Sequence, residues 1–219
     1  MRRVSLAIGL LVLAAAWLGP LPALASRAFF AHMVMHVAVI AVAAPLIGVG
    51  LAGSAGDPAR RWPSLFAPLP ASALEFVVVW AWHAPALHHA ARELPGALIA
   101  EQGSFLACGL LLWLSAFGGA DALRASRAGA GIAGLLATSM HMTLLGTLLA
   151  LAGRPLYAHA GAGPAGLTPL EDQQLGGVIM LLGGGAAYLI GGLCLLAGLL
   201  RRPVQAARAL PPQQRAGSA

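Results

Sequence analysis

Lysine is absent from this chain of 219 residues, and charged residues of all kinds make up only 9% of it, whereas hydrophobic residues make up 59%. So few charges cannot supply the polar surface that a soluble domain needs. The sequence therefore predicts an integral membrane protein in contact with the lipid bilayer. The net charge of +6 comes from arginines between the apolar blocks, which is typical of membrane topology and argues against nucleic-acid binding.

Cysteine is nearly absent as well. Cys108 and Cys194 lie in different apolar blocks, so neither a disulfide nor a CxxC metal or redox motif is predicted. The sequence has no HExxH motif and no serine in a recognisable nucleophile motif, and protease chemistry therefore finds no support. We expect a protein that is not an enzyme.

Apolar blocks long enough to cross about 30 Å of hydrocarbon as helices recur along the chain. They predict an all-α, integral membrane helical bundle with five core transmembrane helices, approximately Phe29 to Leu51, Ser72 to Ala91, Ala97 to Phe117, Ala130 to Ala152 and Leu175 to Leu200. Residues 1–25 are predicted to be a signal peptide, which prolines and a small-x-small pattern favour, or else an additional first helix. The bundle then occupies 26–200, followed by a basic tail at 201–219 that is predicted to be disordered.

The arginines predict the orientation of the bundle. With a cytoplasmic N-terminus, ten arginines lie inside, and only Arg27, Arg92 and Arg154 lie outside. This excess follows the positive-inside rule. The C-terminus is therefore predicted to be cytoplasmic.

In this orientation, histidines and methionines gather in the outer half of the bundle. His32, Met35 and His36 stand at i, i+3 and i+4, so they share one helix face. His83 lies on the next helix, two residues before a proline that can turn it toward the bundle axis. The segment MHM at 140–142 repeats the pairing of imidazole with thioether. This combination suits copper, above all the cuprous ion.

The predicted copper ligands are His32, Met35, His36, His83 and His141. The predicted supporting residues are Met140, Glu101, Asp172, Gln173 and Trp82. A lone histidine can instead hydrogen-bond a neighbouring helix, and methionine commonly packs in cores, the expectation for Met33 and Met142. For Asp172 the alternative is an N-terminal cap of its own helix.

Three other histidines and a series of glycines are expected to have no part in metal binding. His88, His89 and His159 are expected to be interfacial and solvated. Glycines recur every seven residues in the last helix, where a stripe of small residues predicts close helix contact. They are Gly177, Gly184, Gly191 and Gly198.

The ordered segments HMVMH, AAPLIGVG, WAWHAPAL, FLACGLLLW, SMHMTLLGTLLALAGRPLY and EDQQLGGVIM resemble the CtaG family of multi-span cytochrome c oxidase assembly factors. The resemblance covers about residues 29–200. It implies a multi-pass protein of the bacterial inner (plasma) membrane that helps haem-copper oxidase to mature, at a copper delivery or insertion step. The implied partners are cytochrome c oxidase subunits and other copper chaperones.

The family's motifs fall on specific residues of this chain. The resemblance implies site roles for His32, His36, His83 and His141, and it maps an aspartate-glutamine motif onto Asp172 and Gln173. One departure is visible where a histidine is expected after the acidic residue Glu101. Gln102 stands there instead, and glutamine is a poor copper ligand.

A second hypothesis is a haem-binding membrane electron-transfer protein. His36 or His83 opposite His141 would then supply the two axial imidazoles. Haem does not require histidines at i, i+4 with adjacent thioethers, which places this hypothesis below copper. A transporter is a third hypothesis, but the sequence has no obvious internal repeat.

Overall fold

The computed structural model describes residues 2–157 and 166–209, and the side chains of these residues except 121–126 and 202–209. In this part of the chain the regular structure is entirely helical, which confirms the predicted all-α fold. Proline occupies the first position of several helices, where its missing N–H costs no hydrogen bond. The helices are α1 (Arg2–Leu18), α2 (Leu21–Ala25), α3 (Phe29–Val37), α4 (Ala44–Leu51), α5 (Pro58–Arg61), α6 (Pro68–Trp82), α7 (Pro85–Glu93), α8 (Pro95–Phe117), α9 (Asp121–Ala150), α10 (Pro169–Ile179) and α11 (Gly185–Ala209).

Four helical segments among the described residues are long and apolar enough to cross a membrane. They are Phe29–Leu51, Pro95–Phe117, Arg127–Ala150 and Pro169–Arg201. The apolar helix Pro68–Trp82 is shorter. The helical membrane bundle is thus confirmed, whereas the predicted number of five spans depends on whether this shorter helix also crosses.

The helix predicted from Ser72 to Ala91 is in fact two helices. α6 ends at Trp82, and Ala84 is extended (φ −64°, ψ 133°) before α7 begins at Pro85. Proline disfavours the helical conformation of the residue before it, so Pro85 ends the helix and does not merely kink it. His83 therefore lies at a turn, and α7 packs against α8.

Two of the spans contain a π-helical turn. The first turn, Ala38–Ala43, joins α3 to α4, and the second, Met180–Gly184, joins α10 to α11. The first turn precedes Pro45, whose ring would clash with the Ala41 carbonyl in a regular α-helix. The two turns contact each other inside the bundle. Such turns occur frequently at functional sites.

The first helix packs closely against the bundle. The Ser5 hydroxyl donates a hydrogen bond to the Leu46 carbonyl at 2.8 Å. A Cβ on Gly50 would lie 2.8 Å from the Cβ of Leu6, so the absence of a side chain at residue 50 allows α1 and α4 to approach. Both alternatives for residues 1–25, a signal peptide and an additional first helix, stay predictions.

The last helix is longer than the hydropathy pattern predicts. It begins at Pro169, before the apolar block, and α11 continues to Ala209. It therefore includes the first residues of the segment predicted to be a disordered tail. The remainder of that segment, from residue 210, lies outside the described residues.

The glycine stripe gives a direct test of helix packing. A Cβ on Gly177 would lie 2.4 Å from the backbone N of Ala150, which cannot move aside, whereas a Cβ on Gly198 would meet nothing within 4 Å. We expect Gly177→Ala to lower the free energy of unfolding by about 1–3 kcal/mol. Gly198→Ala should leave it unchanged or raise it by up to about 1 kcal/mol, because alanine favours helix. Thermal unfolding of both variants in detergent measures the difference, and equal stabilities would contradict the packing.

Candidate metal centre

Four helix ends bring polar side chains together at one end of the bundle. Consecutive long helices run in opposite directions, so the start of α3, the end of α6, the start of α8 and the start of α10 meet there. The arginine pattern predicts that this is the outer end. The side chains that meet are buried, although several carry charge or hydrogen-bonding groups.

Glu101 lies between two histidines of α3. Its Oε2 is 3.1 Å from Nε2 of His32, and its Oε1 is 3.5 Å from Nε2 of His36. One ligand atom from each of these three buried residues lies within 4.8 Å of the other two. Ligand atoms that each stand about 2 Å from a metal ion are separated by about 3–4 Å. The cluster of His32, His36 and Glu101, called here the carboxylate cluster, therefore has donors and dimensions that suit a metal ion.

His83 stands beside this cluster with a fixed tautomer. The centroid of its ring lies 5.4 Å from that of His36. Its Nδ1 is 2.7 Å from the Val79 carbonyl, and since a carbonyl only accepts, Nδ1 carries the proton. The lone pair is then on Nε2, which is buried without a hydrogen-bond partner. A neutral imidazole in this state is a competent metal ligand.

Gln102, the departure from the family pattern, holds His36 in place. Its Nε2 lies 2.6 Å from Nδ1 of His36 and 3.2 Å from Oε2 of Glu101, while its Oε1 is buried without a partner. If the amide rotates by half a turn, Oε1 accepts from Nδ1–H of His36, and Nε2 of the ring is left with its lone pair. Gln102 can therefore hydrogen-bond either tautomer of His36 without being a ligand itself, and the second orientation replaces its hydrogen bond to Oε2 of Glu101 by two facing acceptor oxygens.

His88 is buried, with 2% of its surface exposed, so the prediction that it is solvated was wrong. Its ring centroid lies 4.7 Å from that of His32 and 4.4 Å from that of Tyr157. The reason is the break before Pro85, because α7 packs against α8 and thereby places His88 against the site. His89, which points about 100° away from His88 around α7, is exposed as predicted and pairs with Glu93 at 3.1 Å.

Tyr157 covers the site from the chain that follows α9. Its ring stacks on Phe29 with centroids 4.7 Å apart, and its hydroxyl donates to the His83 carbonyl at 2.7 Å. Burial raises the pKa of Tyr157, so the hydroxyl stays protonated and can donate. His159 follows shortly after and lies outside the described residues.

Asp172 caps a different helix from the one predicted. Its carboxylate accepts from the backbone N–H groups of Phe29 at 2.7 Å and Phe30 at 2.8 Å. These N–H groups belong to the first turn of α3, the helix that carries His32 and His36. The start of its own helix is capped by Thr168 and Glu171. Asp172 therefore caps the helix that carries the two histidines, while its predicted role in orienting a ligand histidine stays a prediction.

The other supporting residues tie the elements around the site. Gln173 accepts from the backbone N–H of Leu156 at 2.6 Å, and so holds the segment that leads to Tyr157. The indole N–H of Trp82 donates to the Ser104 hydroxyl at 2.9 Å, which joins α6 to α8.

Near Asp172, the Arg92 guanidinium donates to the Ser26 carbonyl at 2.9 Å. Burial lowers the pKa of Arg92, and the Asp172 carboxylate opposes this shift.

The methionines near the site are not those predicted. A cavity of about 10 Å³ is lined by His36, His83, Met142 and Met180 together with apolar side chains. Met35, the predicted ligand, is buried but is not among the residues that line this cavity. Met140 is 73% exposed, so the structure does not bring it to the cavity. Met142 and Met180 could be assigned only once the rotation of α9 and α10 was known.

The structure places His141 apart from the cavity. Its ring contacts Phe76, with centroids 5.3 Å apart, and the neighbouring Met142 faces the cavity in its place. The bis-histidine haem hypothesis needs His141 opposite His36 or His83, with several hundred Å³ between them. The cavity beside His36 and His83 holds only about 10 Å³, which gives the haem hypothesis no support.

Comparison with known families agrees with the sequence resemblance. The family described as cytochrome c oxidase caa3 assembly factor (Caa3_CtaG) matches residues 1–202, nearly the whole chain. No curated protein and no solved structure matches the chain.

Proposed function

Because the chain belongs to the family of caa3 cytochrome c oxidase assembly factors, we propose that it delivers copper to the oxidase, or helps to insert it, during assembly. Copper is the cargo in this proposal. The observation that carries it is the buried carboxylate cluster, in which His32, His36 and Glu101 offer ligand atoms within 4.8 Å of one another. The lone pair of His83 lies beside the cluster and adds a further donor.

The nature of the donors favours copper over other ions. Imidazole binds zinc, copper, iron and nickel, whereas thioethers select the cuprous ion. The described residues combine these donors in one place, since His36 and His83 share a cavity with Met142 and Met180. Calcium and magnesium prefer sites built from oxygen atoms, and this site contains one carboxylate among imidazoles.

The surroundings of the site suit transient binding at the outer surface. In the predicted orientation the site lies at the outer end of a bundle in the bacterial plasma membrane, with the C-terminus in the cytoplasm. Among the described residues, α7 and Tyr157 pack against the site on that side, through the ring contacts of His88 with His32 and with Tyr157. An oxidase subunit, or another copper chaperone, is the proposed exchange partner. We assign the protein no enzymatic activity.

Deleting the protein from its host tests the assembly role. We expect the oxidase polypeptides to be present while the assembled oxidase lacks copper and activity. The measurements are copper content by mass spectrometry and oxygen consumption of isolated membranes. An oxidase with normal copper content and activity in the deletion strain would refute the role.

Replacing Gln102 tests the proposed orientation of His36. We expect Gln102→Leu to weaken cuprous binding by about 10–100-fold, because hydrogen-bond partners of ligating histidines have effects of this size. Competition with a chromophoric cuprous chelator measures the affinity of the purified protein. Gln174→Leu is the matched control, since the Gln174 side chain donates to the Ala152 carbonyl at 3.1 Å and makes no hydrogen bond to His32, His36 or His83. Equal affinities of both variants would contradict the role of Gln102.

A further inference from the structure

The cavity beside His36 has the size and lining of an ion site. It measures about 10 Å³ and lies where the two π-helical turns face each other, with Ile40 from the first turn and Met180 and Gly184 from the second. A space of this size accommodates roughly one water molecule or one ion, but a water molecule needs two to four polar partners. His36 and His83 are the only polar side chains in the lining, so the cavity suits a soft ion better than water.

Two thioether side chains complete the lining. Met142 and Met180 are both buried, and Sδ of Met142 lies 3.6 Å from the position that a Cβ on Gly184 would take. Gly184 and Met142 both line the cavity, so this contact lies at the cavity wall.

One nitrogen donor of the cavity has no other partner. Nε2 of His83 is buried and makes no hydrogen bond, while Nδ1 is held by the carbonyl of Val79, which also lines the cavity. His36 lies on the boundary between the cavity and the carboxylate cluster, because its ring lines the first and its Nε2 is 3.5 Å from Glu101.

We propose that this cavity is a second copper subsite, a thioether subsite in which Met142 and Met180, together with His36 and His83, hold a cuprous ion. The carboxylate cluster is the harder of the two subsites, and His36 is shared between them. Thioethers select the cuprous ion, whereas carboxylates favour harder ions. The negative charge of Glu101 next to the cavity stabilises a single positive charge among neutral ligands. The subsite deepens the proposed function and rests on it.

Copper X-ray absorption of the full-length protein tests the subsite. The protein is purified in detergent and loaded with cuprous ion under anaerobic reducing conditions. Its total copper is measured, and the X-ray absorption spectrum gives the types of ligand atom that surround the copper, each as a scattering shell. We expect sulfur scattering in addition to nitrogen and oxygen scattering. In Met142→Leu/Met180→Leu the sulfur shell should disappear, and cuprous affinity should fall by about 10-fold or more. Leucine keeps nearly the same volume as methionine, so the fold should tolerate both changes.

Controls separate the subsite from other sulfur atoms and from misfolding. Met33→Leu replaces a buried methionine that does not line the cavity, and it should keep the sulfur shell. Thermal unfolding checks that the double variant folds. If it does not, Met142→Leu and Met180→Leu are measured singly, and each should reduce the sulfur coordination number.

The outcomes distinguish the subsite from the proposed function. Bound copper with only nitrogen and oxygen scattering would overturn the thioether subsite and leave the proposed function intact. A sulfur shell that persists in the double variant, as ligation by Cys108 or Cys194 would give, would also overturn it. The absence of bound copper altogether would overturn both.

Discussion

His36→Ala is expected to weaken cuprous binding by roughly 100-fold or more. Loss of an outer hydrogen-bond partner of a ligand costs about 10–100-fold, and His36 is a proposed ligand that both subsites share. Its ring lies next to those of His32 and His83, with centroids 4.4 Å and 5.4 Å away, and its Nε2 faces Glu101. Competition titration against a cuprous chelator measures the loss. A strain that carries this variant should resemble the deletion strain in the copper content of its oxidase.

His89→Ala is the matched control for His36→Ala. His89 is exposed and pairs with Glu93 at the surface of α7, so its removal should leave copper affinity unchanged. Thermal unfolding of the His36 variant must accompany the titration, because Gln102 loses one of its two hydrogen-bond partners when the imidazole is removed. Wild-type affinity in His36→Ala, or an equal loss in His89→Ala, would refute the assignment.

Asp172→Ala is expected to lower the free energy of unfolding by about 2–5 kcal/mol. The carboxylate accepts two backbone hydrogen bonds from Phe29 and Phe30, and a buried donor left without a partner costs about 1–3 kcal/mol. Asp172→Asn keeps one acceptor oxygen and should lie between wild type and alanine. Thermal and denaturant unfolding in detergent measure the series. The start of α3 loses its cap in Asp172→Ala, so copper affinity should fall as well.

Glu171→Ala provides the comparison for Asp172→Ala. Glu171 forms the exposed capping box with Thr168 at the start of α10, and loss of such a cap costs about 0.5–2 kcal/mol. Its hydrogen bonds are with Thr168 and not with α3, so copper affinity should not change. If both variants lost the same stability and kept the same affinity, the cap on α3 would have no special role in holding the site.

The membrane-spanning helices could be predicted from the sequence because their apolar length alone identifies them. The pairing of His32 with His36 was also accessible, since residues at i and i+4 share a helix face whatever the tertiary structure. Pro85 was recognised as a disturbance, but hydropathy does not distinguish a kink from an end. Because the helix ends before Pro85, α7 packs against α8 and His88 is buried.

Contacts between helices could not be predicted from the sequence, because they depend on how each helix is rotated about its axis. Glu101 was identified as an acidic residue near a helix start, but its place between His32 and His36 depends on how α8 is rotated against α3. Neighbouring residues on a helix point about 100° apart, so the exchange of His141 for Met142 at the cavity follows from the rotation of α9. For Asp172, the helix begins at Pro169, which gives the capping position to Thr168 and leaves the carboxylate for α3.

Metal analysis of the purified full-length protein tests the central claim most directly. The protein is incubated with excess cuprous ion under reducing conditions, freed of unbound metal, and compared with His32→Ala/His36→Ala treated in the same way. The two subsites share His36, so we predict about one copper ion per wild-type chain and almost none in the variant. A wild-type protein that retains no more copper than the variant would contradict the claim that the carboxylate cluster of His32, His36 and Glu101 holds the ion.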